Sequence, residues 1–207
     1  MTVTVVLATR NPGKIEELRR ILAAYDVDLV GLDAFPDLPD VAETGATFAE
    51  NALLKAHTVS AATGRPAIAD DSGLAVDALN RMPGVLSARW SGRHGDDAAN
   101  LALVLAQIAD VPDNRRGAAF VCAAAVATPD GREDVVEGRL EGELIRAPRG
   151  TNGFGYDPIF RPHGHRVTTA EMAPADKDEI SHRGQAFRAL APRLAALLSP
   201  DDGLAAR

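Results

Sequence analysis

Residues 2–25 read TVTVVLATRNPGKIEELRRILAAY and contain three structural signals in a row. Thr2–Ala8 is rich in β-branched residues, which favour a β-strand. The polar stretch Thr9–Gly13 contains a proline and a glycine and therefore predicts a loop. In Lys14–Tyr25 the apolar residues recur every three or four positions, as they do on one face of an amphipathic helix. A strand, a loop and a helix in this order are typical of an α/β protein.

The remainder of the chain continues to interleave strand and helix signals. Thr47 and Glu50 have the spacing of a capping box, which predicts the start of a helix. Alternation early in the chain and a hairpin later predict an α/β fold with a mixed sheet. We expect residues 1–199 to form a single domain and residues 200–207 to form a C-terminal tail. The predicted elements are, in chain order, a strand at Val27–Leu32, a surface loop at Asp33–Gly45, a helix from Thr47 to about Ala62, a short strand at Ala67–Ala69, a helix at Asp96–Ala109, a strand at Ala118–Ala127, a turn at Pro129–Gly131, a strand at Asp134–Glu141, a glycine-rich loop at Gly150–Asp157, a mobile surface segment at His163–Ala175, and a helix that Ser181 caps and that continues to about Leu198.

The composition is that of a soluble globular protein. Of the 207 residues, 46% are hydrophobic and 25% are charged, values that exclude a disordered, collagen-like or coiled-coil chain. The 22 basic and 29 acidic residues give a net charge of −7, so the chain lacks the basic surface that duplex nucleic acid requires. The longest apolar stretch, Ala118–Ala127, is far shorter than the roughly 20 residues of a membrane span. We therefore expect neither nucleic acid nor a membrane as a partner.

Cysteine usage and the N-terminus predict a cytoplasmic protein. Cys122 is the only cysteine, which excludes an intramolecular disulfide and a cysteine-rich zinc site. The apolar run at the N-terminus has no basic region before it and no small-residue cleavage pattern after it. It therefore predicts a first strand and not a signal peptide.

The loop Thr9–Lys14 lies where a predicted strand meets a predicted helix. Unpaired backbone N–H groups and the helix dipole both favour an anion at such a position, and Lys14 adds a positive charge there. The pattern therefore favours a phosphate site, although a solvated turn with an ordinary lysine has the same sequence features. The chain contains no Walker A sequence.

The sequence Asp70-Asp71-Ser72-Gly73 follows the apolar strand predicted at Ala67–Ala69. Ligands of α/β sheets bind at the carboxyl ends of strands, and two adjacent carboxylates there need a cation or donors to offset their charge. Mg²⁺ is commonly held by one or two carboxylates together with substrate phosphates. A turn in which one carboxylate caps backbone amides is the structural alternative.

Two acidic residues, Glu43 and Glu50, lie near the start of the predicted second helix and have different explanations. Glu50 is accounted for by the capping box. Glu43 has no such explanation and is the better candidate for a second metal ligand.

The stretch Gly153-Phe154-Gly155-Tyr156-Asp157 places an aromatic residue between two glycines. Glycines allow the backbone to approach a ligand closely, and a nucleobase is a good stacking partner for an aromatic ring. The alternative is a glycine-containing hairpin in which Phe154 points into the core.

A third group of polar residues, Lys177, His182 and Arg183, lies around the predicted start of the last helix. Arginine donors recognise keto oxygens such as O6 of a purine. The alternative is a helix cap with solvated cations.

Six motifs, LATRNPGK, ETGATFAENALLKA, AIADDSGLAVDAL, PGVLSARWSG, GFGYDPIF and ISHRGQAFRAL, occur in this order within residues 3–190. Together they resemble the inosine triphosphate pyrophosphatase family, also called dITP/XTP pyrophosphatases. The resemblance implies an elongated, two-lobed α/β fold, in which helices flank a mixed sheet and the active site lies in the central cleft. It also implies a homodimer that, with Mg²⁺, cleaves ITP, dITP, XTP and dXTP to a monophosphate and pyrophosphate. Such an enzyme removes deaminated purines from the nucleotide pool.

The resemblance also implies a role for each matching residue. Asp71 would be the catalytic carboxylate and a metal ligand, with Glu43 as a further metal ligand and Asp70 as a candidate to assist. Arg10 occupies a loop position that is often small in the family. The implied contacts to the triphosphate are Thr9, Arg10, Asn11, Pro12, Gly13 and Lys14, and Ser72 would also contact the substrate. Phe154 would stack on the base, and Gly155, Tyr156 and Asp157 would complete that wall of the site. The residues that would contact the purine edge are Lys177, His182 and Arg183.

Two other functions remain compatible with the residues. One is a regulatory module that binds a nucleotide without turning it over, although the presence of Asp71, Glu43 and Lys14 argues against it. The other is a hydrolase for different modified nucleotides, for which Phe154 and Arg183 favour purines without determining the base.

Overall fold

A computed structural model describes residues 4–23, 25 and 27–198. Within these ranges the chain forms a mixed six-stranded sheet with the order β2-β1-β3-β4-β5-β6. Strand β1 is parallel to β2 and β3, and all other neighbouring strands are antiparallel. The predicted tail at residues 200–207 lies outside the described residues. The strands are β1 (Thr4–Leu7), β2 (Asp28–Gly31), β3 (Ala67–Val76), β4 (Gly117–Ala127), β5 (Glu133–Leu144) and β6 (Phe160–Pro162).

Helices cover both faces of the sheet, so the predicted fold class is confirmed. Three separate apolar clusters show which helix lies where. The first cluster joins α1 and α5 to one face, the second joins α2 to the other face, and the third joins α3 to the far ends of β3 and β4. No helix of the described ranges is long and apolar enough to cross a bilayer. The helices are α1 (Pro12–Leu22), α2 (Phe48–Thr63), α3 (Asp97–Gln107), α4 (Pro174–Ile180) and α5 (His182–Leu198).

Local sequence signals account for the helix ends. The predicted capping box is present, because the Thr47 side chain accepts from the Glu50 N–H while the Glu50 carboxylate accepts from the Thr47 N–H. Gly64 ends α2 in the left-handed conformation, with φ of 64°, which glycine adopts without steric cost. The Ser181 hydroxyl accepts from the Gly184 N–H at 2.9 Å, as predicted for the cap of α5.

The prediction that the strand beginning at Ala67 ends at Ala69, before Asp70–Gly73, is wrong, and so is the alternative of a turn at these residues. Strand β3 continues through these residues to Val76 and pairs with β4 along its whole length, with Asp70 opposite Ala124 and Asp71 opposite Ala123. Charged residues are rare inside buried strands, which is why the sequence pattern indicated an end at Ala69. Ion-pair partners on both faces of the sheet stabilise the charges within the strand.

The predicted mobile surface segment at His163–Ala175 is wrong for its second half. Thr168 and Thr169 are fully buried. The Thr169 hydroxyl donates to a carboxylate oxygen of Asp157 at 2.7 Å, and the Ala170 carbonyl accepts from the N–H groups of residues 151 and 152. Residues 168–170 therefore pack against the glycine-rich loop and form hydrogen bonds with it.

Candidate active site

Residues of α1, α2, β3 and the start of α5 line a cleft of about 660 Å³. This volume is within the range of small-molecule sites. Asp70 is buried behind the cleft, and Gly13 faces a smaller neighbouring cavity of about 160 Å³. The other residues that the sequence predicted all line the cleft: Thr9, Arg10, Asn11, Pro12, Lys14, Glu43, Asp71, Ser72, Phe154, Gly155, Tyr156, Asp157, Lys177, His182 and Arg183. The fold thus brings together residues as distant in the sequence as Thr9 and Arg183.

Asp71 lies on the face of β3 that α2 covers. Its Oδ2 accepts from the Asn51 side-chain amide at 3.0 Å, and its Oδ1 lies 3.4 Å from Nζ of Lys55. Burial raises the pKa of Asp71, Lys55 lowers it and the charge of Glu43 raises it further, so the pKa is above its usual value. A carboxylate in this environment is a stronger base than an exposed one and gains from a nearby cation.

Glu43, on the loop before α2, is held by two cations. Its Oε1 accepts from Lys55 at 3.0 Å and its Oε2 accepts from Arg89 at 2.9 Å. Burial raises the pKa of Glu43, but Lys55 and Arg89 outweigh this effect and bring the pKa below its usual value. Lys55 therefore lies between Glu43 and Asp71 and links the two predicted metal ligands.

Sequence reasoning assigned no role to Asn51, Lys55 or Arg89. Asn51 and Lys55 are four residues apart on α2, a spacing that places both side chains on one face of a helix. That spacing would have indicated that both side chains contact the same group, which is Asp71. Arg89 is the last residue of the 3₁₀ segment Gly84–Arg89, and no local signal in the sequence brings it to Glu43.

Asp70 points to the opposite face of β3, toward α1 and α5. Its Oδ2 lies 2.9 Å from Nζ of Lys14 and 3.3 Å from Nε of Arg183, and the Ser72 hydroxyl donates to it at 3.0 Å. Burial raises the pKa of Asp70, but Lys14 and Arg183 outweigh burial and hold the pKa far below its usual value. Asp70 is therefore a fixed negative charge that orients two of the predicted substrate-binding cations.

Arg183 is 2% exposed and its guanidinium contacts three partners. It donates to the Glu17 carboxylate, to the Ser72 hydroxyl at 2.7 Å and to Asp70. Burial lowers the pKa of Arg183, whereas the charges of Glu17 and Asp70 raise it and prevail. Sequence reasoning missed Glu17, and its place on the same helical face as the buried Ile21, four residues on, is the signal that could have found it.

His182 is buried, and its ring stacks on Phe120 with centroids 4.9 Å apart. Burial, followed by the charges of Arg183 and Lys177, lowers the pKa of His182 well below 6.5. The imidazole is therefore neutral at pH 7, and its Nδ1 is a buried polar atom without a hydrogen-bond partner among the described residues.

Phe154 is partly exposed on the glycine-rich loop and does not point into the core. Its ring centroid lies 5.3 Å from Nζ of Lys177 and 5.7 Å from Cζ of Arg183. Asp157 fixes the loop from inside, because its Oδ2 accepts from the Phe154 N–H at 2.9 Å and from Lys177 at 2.7 Å. The Tyr156 hydroxyl is buried and donates to the carbonyl of Ser87 at 2.8 Å. Tyr156 and Asp157 thus fix the conformation of the loop that carries the Phe154 ring.

Arg10 and Gly13 lie within the predicted phosphate loop, Thr9–Lys14. The Arg10 guanidinium donates to Asp40 at 3.0 Å and to the carbonyl of Leu38 at 2.6 Å. Arg10 therefore ties this loop to the acidic loop before α2. A Cβ on Gly13 would lie 2.9 Å from the Phe154 ring, so a glycine here allows the ring to rest against the start of α1.

A family model described as the Ham1 family matches residues 5–193. The chain belongs to the Ham1 family. This Ham1 family chain is 65% identical over 195 residues to a protein of Streptomyces coelicolor named dITP/XTP pyrophosphatase, a match that covers 93% of this chain and 98% of the relative. The resemblance inferred from the sequence motifs is thereby confirmed.

Solved structures of related proteins have the same fold. A HAM1 protein from Coxiella burnetii is 41% identical, with a TM-score of 0.85 over 94% of this Ham1 chain and 100% of that one. A Mycobacterium abscessus structure titled nucleoside-triphosphatase / dITP/XTP pyrophosphatase is 59% identical, with a TM-score of 0.75 over 92% and 99% of the two chains. The matched range of the family model contains every predicted site residue, from Thr9 to Arg183.

Proposed function

We propose that this chain hydrolyses the triphosphates of deaminated purine nucleosides, ITP, dITP, XTP and dXTP, to a monophosphate and pyrophosphate. This reaction would remove such nucleotides from the pool used for DNA and RNA. The observation that carries the proposal is the position of Asp71 in the cleft. It lies beside a cationic wall that contains Lys14 and Lys55, and the aromatic ring of Phe154 lines the same cleft. The names of relatives 58–65% identical over nearly the whole chain support the same reaction.

The cationic wall is the part of the cleft that suits a triphosphate. Lys14 lies at the start of α1, where the dipole of the helix also favours an anion. Lys55 and Arg89 are both held by Glu43 and both line the cleft. We infer that phosphate oxygens share these cations with Asp70 and Glu43.

Asp71 is the group that we assign to proton transfer. Asn51 and Lys55 fix its orientation, and its raised pKa makes it a better proton acceptor than an exposed carboxylate. In the proposed reaction Asp71 orients a water molecule and takes its proton as the oxygen attacks phosphorus. The bond between the α-phosphate and the bridging oxygen then breaks, and pyrophosphate leaves.

The donor set of the cleft fits Mg²⁺. Asp71 and Glu43 present carboxylate oxygens within 3.4 Å of one shared cation, Nζ of Lys55, and such hard oxygen ligands suit Mg²⁺. No group of three or more potential ligands among His, Cys, Asp and Glu occurs in residues 4–23, 25 and 27–198. The remaining ligands would therefore come from phosphate oxygens and water. When bound, Mg²⁺ would neutralise phosphate charge and make the attacking water more acidic.

The other wall of the cleft suits a 6-keto purine. Phe154 offers a face for stacking, and Lys177, His182 and Arg183, which also line the cleft, would provide polar contacts at the base edge. Hypoxanthine and xanthine present a keto acceptor at C6, whereas adenine presents an amino donor. A donor from Arg183 would pair with the keto oxygen and would face another donor in adenine, and an unpaired buried donor costs about 1–3 kcal/mol.

We also propose a cytoplasmic homodimer. The homodimer rests on the family resemblance, whereas the cytoplasmic location rests on cysteine usage and the N-terminal sequence, and the free, buried Cys122 is compatible with a reducing compartment. Light scattering of the purified chain tests the dimer, and a mass equal to one chain would contradict it.

The decisive experiment measures pyrophosphate release from ITP, XTP, GTP and ATP, each with Mg²⁺ and with EDTA. We expect Mg²⁺-dependent release from ITP and XTP and little from ATP. Orthophosphate in place of pyrophosphate, or no release from any of the four, would refute the proposed reaction. Release that persists in EDTA would refute the role of the metal only.

A further inference from the structure

Asp97 makes a long-range contact to the loop that carries Phe154. It is the first residue of α3, and its Oδ2 accepts a hydrogen bond from the backbone N–H of Gly155 at 2.8 Å. The two residues are 58 positions apart in the sequence. Both line the cleft, so this bond joins two segments of its lining that are distant in the sequence.

The carboxylate of Asp97 suits the dipole of α3, because it lies in the first turn of the helix, but it is not the side chain that caps the helix. Asp96 already caps α3, because its Oδ1 accepts from the Ala99 N–H at 3.1 Å. No ion pair involves Asp97 within residues 4–23, 25 and 27–198. A negative charge in a cleft for an anionic substrate repels that substrate, so its presence there indicates another task.

The hydrogen bond from the Gly155 N–H to Asp97, here called the tether, restrains the loop at a residue that packing does not hold. Gly155 has a φ of 61°, in the region that glycine adopts without steric cost, and a Cβ built on it meets no atom within 4 Å. Packing therefore does not hold this residue. Asp157 restrains the loop at the N–H of Phe154 and Tyr156 restrains it at Ser87, which leaves the Gly155 N–H to Asp97.

We propose that Asp97 is a positioning residue for the nucleobase. By accepting from the Gly155 N–H, it fixes the loop that places the Phe154 ring beside Lys177 and Arg183. This inference rests on the proposed function, because it names a further determinant of base binding at the same site. Asp97 itself does not touch the reacting phosphates.

The test compares three variants by steady-state kinetics with ITP. Asp97→Ala removes the acceptor, Asp97→Asn keeps an acceptor oxygen without the charge, and Asp96→Ala removes the neighbouring helix cap. A hydrogen bond to a charged group is worth enough to change affinity about tenfold. We expect Asp97→Ala to raise KM for ITP about tenfold with kcat nearly unchanged, and Asp97→Asn to restore most of the affinity.

Inorganic tripolyphosphate separates base positioning from general damage to the cleft. It lacks a base, so its inhibition constant against ITP is expected to be the same in wild type and in Asp97→Ala. Asp96→Ala is expected to lower the melting temperature and to leave KM unchanged. Equal weakening of ITP and tripolyphosphate in Asp97→Ala, an unchanged KM in that variant, or a failure of Asp97→Asn to restore affinity would each overturn the proposal.

Amide hydrogen exchange provides a readout that does not depend on turnover. We expect residues 154–156 to exchange faster in Asp97→Ala than in wild type and in Asp96→Ala. If the wild-type chain released no pyrophosphate, the proposed function would fail, and faster exchange would still establish the tether. Unchanged exchange in an active enzyme would overturn the tether and leave the reaction standing.

Discussion

Asp70 and Asp71 are consecutive residues of β3, yet their carboxylates point to opposite faces of the sheet. Asp71 contacts Asn51 and Lys55 of α2, whereas Asp70 contacts Lys14 and Arg183. Side chains alternate across a strand, so the two negative charges are separated and each has its own cations. Only Asp71 lines the cleft. The adjacent carboxylates therefore have different tasks.

The first prediction concerns the carboxylate that faces the cleft. Asp71→Asn keeps the shape and the acceptor oxygen but cannot take a proton. We expect kcat for ITP to fall by about 10²–10⁴-fold, the range typical of a lost general base, while calorimetry still detects ITP binding. Near-wild-type turnover in Asp71→Asn would remove Asp71 from the reaction.

The second prediction concerns Asp70, the neighbour of Asp71 in β3. Asp70→Asn leaves the buried Arg183 and the partly buried Lys14 beside a neutral group, and breaking a buried ion pair on one side typically costs about 3–5 kcal/mol. We expect the free energy of unfolding in urea to fall by about that amount, more than in Asp71→Asn. Equal stability of the two variants would show that Asp70 does not hold the α1 and α5 side of the site together.

Much of the fold follows from local signals in the sequence. The apolar spacing of α1, the capping box of Thr47 and Glu50 and the turn at Gly131 each involve residues close together in the chain. Gly131, with φ of 87°, and the hydrogen bond from its N–H to the Thr128 carbonyl form the predicted turn between β4 and β5. Such contacts depend on few neighbours, and propensity alone predicts them.

The parts that escaped prediction depend on contacts between distant segments. The length of β3 follows from its pairing with β4 and from the cations that face Asp70 and Asp71, and neither is visible in the local sequence. Arg89 and Asp97 likewise meet their partners only after the sheet has formed. Residue patterns and the family resemblance predicted the cleft residues, whereas their supporting partners are visible only in the structure.

The third prediction is a pH dependence of stability that arises from His182. Its pKa in the folded chain is well below 6.5, so below that pH the unfolded chain binds a proton that the folded chain does not. The stabilising contribution of the neutral imidazole is therefore complete above about pH 6.5 and is lost as the pH falls. The slope per proton is at most about 1.4 kcal/mol for each pH unit.

Urea unfolding of His182→Gln between pH 5 and pH 7.5 measures this slope. We expect the variant to show a flatter dependence of unfolding free energy on pH than wild type. His165→Gln removes an exposed histidine and is expected to keep the wild-type slope. If His182→Gln and wild type had the same slope, the acid sensitivity would arise elsewhere.

The last prediction separates the two tasks that the structure gives to Arg183. The guanidinium contacts Glu17, Asp70 and Ser72 and also lines the cleft. Arg183→Lys keeps the charge but loses the planar fork that reaches several partners at once. We expect the ratio of kcat/KM for ITP over ATP to fall about tenfold, the equivalent of about 1.4 kcal/mol of lost discrimination.

Arg188→Lys is the matched control, because it makes the same exchange on the same helix. Arg188 donates to the carbonyls of Asp178 and Glu179 and does not line the cleft. It is therefore expected to leave the ITP to ATP ratio unchanged. Should Arg183→Lys lose stability with an unchanged ratio, Arg183 would act through Glu17 and Asp70 alone. Recognition of the purine edge would then fall to Lys177 and His182, since these are the other polar side chains on that wall of the cleft.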